Sequence, residues 1–265
     1  TYITTEGAMK KSEEFLKKYN MHHSQTDMEE LILAHVEELK KARKGESSSI
    51  SVIPSYFDLE NYDESIHKVI AVDAGGTNLR IALVSFEEDE EPFVASKERY
   101  GMPGRDKRIS SKDFFNELGD LIDVIGDASD YIGISFAYKG QITPEKDYII
   151  YKMCKEVDIP DIDGKSLADG INSYFIKKYG KAKKISAVND TSACLIGSVS
   201  NTDLINNGAC IGMVLGTGFN ICYKEHMKNV KGFENSDKSD IVITESGVFD
   251  NITRGAFDIK IDTES

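Results

Sequence analysis

The chain is short of positive charge. Its 265 residues carry 32 Lys and Arg against 45 Asp and Glu, a formal net charge of −13. A surface of that sign repels nucleic acid and anionic lipid, so neither is expected as a general partner. Any anionic ligand must be met locally, by backbone amides, a few Arg or Lys and a metal ion. The sequence also has no run of about 18 apolar residues, which excludes a membrane-spanning helix. Its four cysteines, Cys154, Cys194, Cys210 and Cys222, form no CxxC pair and take no zinc-ligand spacing with a histidine. They read as reduced, mostly buried thiols. With opening residues that are charged rather than apolar, so that no secretory signal is visible, they point to the cytoplasm. His22 and His23 make neither a tag nor a metal site. An oligomeric state is not set by the sequence.

What is present is an apolar fraction of 40%, ordinary for a soluble globular protein and enough for a large core and two domains. The first 45 residues read as helical. Thr26 with Glu29 makes a capping box, and Met28, Leu31, Ile32, His35, Val36 and Leu39 recur on one helical face. At Lys68 the pattern changes. Val69–Asp73 is a buried strand ending in an acid, Ala74–Asn78 a turn, and Leu79–Phe86 a second strand. A strand–turn–strand unit is a hairpin, which separates it from the Walker type of phosphate loop. Phe93–Arg99 is a third strand. Ser110 caps a helix whose inner face is Phe114, Phe115, Leu118, Leu121, Ile122 and Ile125. Strands follow over 131–136 and, weakly, 147–153. A helix opens at Asp163-Gly164 and ends at Gly180. Lys184–Val188 is a strand, and Asn189-Asp190-Thr191 opens the next helix. A second glycine-turned hairpin spans Ala209–Leu215 and Phe219–Tyr223.

Five segments carry candidate chemistry. In Asp73-Ala74-Gly75-Gly76-Thr77-Asn78-Leu79-Arg80, glycines let amides approach phosphate oxygens. The Thr77 hydroxyl adds a donor, Asp73 can hold magnesium through water, and Arg80 can meet phosphate charge. As a lone motif this favours a plain hairpin whose glycines merely allow positive φ. Gly216-Thr217-Gly218-Phe219-Asn220 repeats the device, ambiguous alone. Val188-Asn189-Asp190-Thr191 lies where a strand meets a helix N-terminus, the ligand end of α/β folds. Asp and Thr serve there as caps, or Asp190 as a proton acceptor in the positive field of the helix end. Ser135, in Gly133-Ile134-Ser135-Phe136, and Glu245, in Thr244-Glu245-Ser246-Gly247, join Lys155, Asn189 and Asn220 as donors and acceptors of the kind sugar hydroxyls require.

The joint order of a DxGGTNxR hairpin, an SF strand, a VNDT strand end, a GTGxN hairpin and an ExG turn closely resembles the hexokinase family of the actin-like ATPase superfamily. The resemblance runs from about Lys68 to Asp250, with DAGGTNLR and VNDT its most specific pieces. It implies an α/β, ribonuclease H-like fold with two domains around a cleft. The expected division is a helical segment over 1–67, a small domain over 68–188 and the start of a large domain over 189–265. The family's chains continue well past the equivalent of Ser265, so the second domain is expected to be incomplete. The resemblance implies transfer of the γ-phosphoryl of magnesium-ATP to the 6-hydroxyl of a hexose, glucose first, with Asp190 as the base. Ser135, Lys155, Asn189, Asn220 and Glu245 would bind sugar, Lys155 being preferred to Lys152 for the family's lysine. Asp73, Gly75, Gly76, Thr77, Asn78, Arg80, Gly216, Thr217 and Gly218 would hold phosphate. Two departures stand out: Ala137 where the family usually has proline, and a different segment from Lys139 to Lys155. ROK-type sugar kinases match less well, lacking here their cysteine-rich zinc motif. A competing class, a sugar sensor without turnover, would use the same sugar residues and form no ADP.

Overall fold

Alternation of apolar and polar residues along 68–101 builds three antiparallel strands: β2 (Lys68–Ala74), β3 (Asn78–Ser85) and β4 (Phe93–Gly101), after a short β1 (Ile53–Pro54). In the computed structural model, which describes residues 5–57, 63, 65–86, 92–153, 156–199, 210–216 and 218–264, two further strands join β2 in parallel. They are β5 (Tyr131–Phe136) and β9 (Lys184–Asn189), giving the order β4-β3-β2-β5-β9. Ile70, Val72, Ala74, Leu79, Ile81, Ile132, Ile134 and Phe136 point to one face and are buried. Helices α3 (Ser111–Asp123) and α4 (Leu167–Tyr179) contribute Phe114, Leu118, Ile122, Ile171 and Phe175 to the same core cluster.

The two helices cross closely because each offers a glycine to the other. A Cβ on Gly119 would stand 2.4 Å from the Tyr174 ring, and one on Gly170 2.4 Å from the Phe115 ring. Ser110 caps α3 as expected, accepting from Asp113 N–H. The helix expected from Asp163-Gly164 instead starts at Leu167 with Ser166 as cap; Gly164 has φ +73° and turns the chain into the short β8 (Lys165–Ser166). Gly180 ends α4 in the left-handed conformation. Strands β6 (Lys139–Ile142), β7 (Tyr148–Lys152) and β8 form a small separate sheet. Of these, β6 and β8 were not foreseen.

The second main sheet has the order β1-β12-β11-β10, from β10 (Ile211–Leu215), β11 (Phe219–His226) and β12 (Ser239–Ile243). Helix α5 (Asp190–Val199) packs on it through Leu195, which shares the core with Cys222 and Ile243. β10 is an edge strand, with Ile211, Met213 and Leu215 exposed. Cys154 lies outside the described residues. Of the other three cysteines, all free, only Cys222 is buried and Cys194 is exposed, which corrects the expectation of mostly buried thiols.

Two compact units divide the chain: residues 52–247, which contain all these sheets, and residues 1–51 with 248–265. The second unit holds α1 (Thr5–Lys18), α2 (Met28–Arg43) and α6 (Ala256–Glu264). Asp27, rather than Thr26, caps α2: its Oδ1 accepts from the Glu29 and Glu30 amides. Met28, Ile32 and Val36, expected on the packed face, are exposed. Phe257 stacks on Phe15 and meets Tyr19. Glu38 is held down to about 2 by Lys41, the Ser49 amide and the Ser48 hydroxyl. Among the described residues, no helix is long and apolar enough to cross a membrane.

Candidate active site

Parallel strands β2, β5 and β9 end together, and the chain leaves each of them at the same rim. In the register, Asp73 faces Ser135 and Ala74 faces Phe136, which in turn faces Asn189. The hairpin turn after β2, the segment after β5 and the start of α5 therefore meet. The turn between β10 and β11, and the turn after β12, close the other side. The result is a cleft of about 330 Å³ lined by Asp73, Gly75, Gly76, Asn189, Asp190, Gly216, Gly218, Asn220 and Glu245. Ala137, Tyr138, Lys139, Val214 and Phe219 complete it.

Asp190 stands at the first position of α5 and is half-buried. The turn beneath it is firmly held. Asn189, 4% exposed, accepts from Thr191 N–H at 2.9 Å through Oδ1. The Thr191 carbonyl accepts from Cys222 Sγ, and the buried Ser192 hydroxyl meets that of Ser55 at 2.8 Å. The Asp190 carboxylate takes a 3.3 Å bond from the Thr191 hydroxyl and has no ion pair among the described residues. Across the cleft, Asn220 Nδ2 donates to Glu245 Oε1 at 3.1 Å. Thr244 fixes the turn bearing Glu245, its amide and hydroxyl both donating to Ile221 O. A Cβ on Gly247 would meet Phe219 O at 2.5 Å. Glu245 itself sits at φ +50°, a left-handed backbone that a glutamate adopts only when its surroundings enforce it. Burial pushes its carboxyl above the usual range, Asn220 and Lys139 pull it down, and Asp190 pushes it further up.

The glycine turns differ in what they require. Gly75 N–H is spent inside its hairpin on Asn78 O, and Gly216 N–H on Gly218 O. The Gly76 and Gly218 amides have no internal acceptor among the described residues. A Cβ at Gly216 or Gly218 would meet nothing within 4 Å, so internal packing does not demand glycine there. Open approach from the cleft is the remaining reason, and it fits a polyphosphate on these amides. Asp73 accepts from the Arg80 guanidinium through Oδ2 at 2.5 Å. Asp73 also lines the cleft beside these amides, and its carboxylate is of the kind that would hold, through water, a magnesium ion that keeps most of its own waters. Among the described residues no group of three or more His, Cys, Asp or Glu side chains is placed to bind a metal.

Not every expected residue reaches the cleft. Ser135 is half-buried in β5 and is not part of the lining. Arg80 serves Asp73, Asn78 Oδ1 holds the Arg99 guanidinium at 3.0 and 3.2 Å, and Thr77 is exposed; none of the three lines the cleft. Lys155 and Thr217 lie outside the described residues. Lys152 ends β7, exposed and opposite Lys139. Conversely, Tyr138 and Lys139 line the cleft and had not been singled out. Their signal was positional: they follow directly on the SF strand that lies beside the DAGG strand.

A family model described as Hexokinase matches residues 11–199, and a second with the same description matches 210–265. The hexokinase of Schwanniomyces occidentalis is 23% identical over 249 residues, covering 87% of this chain and 51% of that protein. Hexokinase-2 of Saccharomyces cerevisiae is 26% identical over 251 residues, covering 87% and 50%. Among solved structures, a hexokinase from Schistosoma mansoni, complexed with glucose, superposes with a TM-score of 0.68 at 20% identity, over 88% of this chain and 55% of that one. The likeness carries the fold, the mixed α/β fold of hexokinases and other actin-like ATPases. The chain spans about half the length of the curated relatives it matches.

Proposed function

The chain belongs to the hexokinase family, and on that premise we propose that it transfers the γ-phosphoryl group of ATP to the 6-hydroxyl of a hexose, with glucose the first acceptor to test. The observation that supports this reading is the convergence of two glycine turns, Asp190 and Glu245 on one cleft. The amides of Gly76 and Gly218 hold the polyphosphate from opposite sides. A magnesium ion bound with the nucleotide supplies charge neutralisation beside Asp73. Asn189 Nδ2, Asn220 and Glu245 receive the sugar hydroxyls, and Asp190 orients the acceptor hydroxyl. Asp190 takes the proton as that oxygen bonds to the γ-phosphorus. The bond from this phosphorus to the bridging oxygen breaks, and ADP leaves with the electron pair. Such a transfer asks for positioning and charge neutralisation above all.

The test is a coupled ADP assay across a panel of hexoses. Sugar-dependent ADP formation is expected, and Asp190→Ala should lower kcat by about 10²- to 10⁴-fold, the size of a general-base contribution. Near-full activity in that variant refutes the role of Asp190. Sugar-dependent thermal stabilisation with no ADP from the parent chain would point instead to binding without turnover.

A further inference from the structure

Three successive carbonyls of the first glycine turn, those of Ala74, Gly75 and Gly76, accept hydrogen bonds from two successive residues of another segment. Ala137 N–H donates to Ala74 O at 3.0 Å. The Tyr138 hydroxyl is shared between Gly75 O at 3.1 Å and Gly76 O at 3.3 Å. Tyr138 is 2% exposed, its ring lies 5.1 Å from that of Phe136, and its own carbonyl accepts from the Tyr148 hydroxyl at 2.7 Å. The donor is therefore itself fixed, from β5 on one side and β7 on the other.

In a trans peptide the carbonyl and the following N–H point in opposite directions. Fixing Gly75 O thus fixes the Gly76 amide, which belongs to the cleft lining and has no internal acceptor among the described residues. The bond from Ala137 also depends on a departure already noted: a proline there would have no N–H to give. The residue after Tyr138 is Lys139, which lines the same cleft and acts electrostatically on Glu245.

We propose that Ala137 and Tyr138 are positioning residues for the first glycine turn, holding its amides toward the phosphate site and tying that turn to the acceptor side of the cleft through Lys139. This rests on the phosphate-binding reading of the turn.

The experiment uses the full chain. Tyr138→Phe keeps the ring and its packing and removes only the hydroxyl; Ala137→Pro removes the backbone donor at that position and also fixes φ there, so it serves as the supporting variant. Inorganic pyrophosphate, magnesium-ATP and glucose are each titrated by calorimetry, and amide hydrogen exchange is followed over residues 74–78. Tyr138→Phe should weaken pyrophosphate and ATP about 3- to 10-fold, the loss of a modest hydrogen bond. Glucose alone should bind within about twofold of the parent. Exchange over 74–78 should quicken, and Ala137→Pro should move all readouts the same way. Unchanged pyrophosphate affinity in Tyr138→Phe overturns the proposal. So does an equal loss of glucose and pyrophosphate affinity, which is what general loosening would give. A parent chain that binds pyrophosphate but phosphorylates no sugar defeats the kinase reading and leaves the clamp standing. A parent that phosphorylates sugar, with variants that bind phosphate like it, defeats the clamp alone. A parent that binds no phosphate defeats both.

Discussion

Glu245 combines a left-handed backbone with a carboxyl pushed up by burial and by Asp190, against the pull of Asn220 and Lys139. The direction has a thermodynamic consequence. A carboxyl whose folded value lies above its unfolded one stabilises the fold most when protonated, and that contribution is lost as pH rises through the folded value. Glu245→Gln, which keeps the shape and loses the charge, should therefore raise the thermal midpoint at pH 7. The gain should vanish below the ordinary glutamate range, where both forms are neutral; scans from pH 3.5 to 8 measure it. The same change should weaken glucose binding by about 10- to 100-fold, the loss of a charge-assisted hydrogen bond. A variant that is both more stable and a weaker binder is the signature of a carboxylate kept for its ligand. Equal stability at every pH would contradict the account. The motif marked Glu245, but not its strain, because φ is set by the bonds of Thr244 and the approach of Gly247 to Phe219, partners distant in sequence.

At the scale of elements, two sets of glycines have opposite reasons. Gly119 and Gly170 let α3 and α4 cross, each meeting an aromatic ring of the other helix. Alanine there gains about 1 kcal/mol of helix propensity, and overpacking costs about 1–3 kcal/mol. Gly119→Ala should thus be net destabilising, read from denaturant midpoints. Gly216→Ala and Gly218→Ala add a methyl to open space. Their unfolding free energy should stay within about 0.5 kcal/mol of the parent, while pyrophosphate affinity falls as the methyl obstructs the approach to the amides. Loss of stability in the second pair would mean that the turn needs glycine for itself. The elements themselves were largely legible. The Ser110 cap, the SF strand and the Asn189–Asp190 boundary were read correctly because each is fixed within a few residues. The start of α4 was missed because Asp163-Gly164 and Ser166 both carry cap signals. Only the pairing of β8 with β7 decides between them.

For the whole molecule, the net charge of −13 opposes the approach of an anionic nucleotide, while a hexose is indifferent to it. Raising ionic strength from 0.01 M to 0.15 M shortens the Debye length from about 30 Å to about 8 Å. Association with ATP should then quicken by about two- to threefold, and glucose binding should not change. Stopped-flow rates at the two salt concentrations check this. Slower nucleotide association at high salt would mean that the local field of Arg80 and Lys139 prevails over the net charge.

The sequence by itself determined the family, the succession of strands and helices, and the two glycine turns. These rest on local periodicity and on motifs whose residues are close in the chain. Only the tertiary structure decided which of the expected residues share a cleft. Ser135 stays in its strand, Arg80 is taken by Asp73 and Asn78 by Arg99, while Tyr138 and Lys139 enter. The physical reason is that a side chain's partner is chosen by the register of neighbouring strands and by the competition for buried donors and acceptors, and both join segments that lie far apart in the chain.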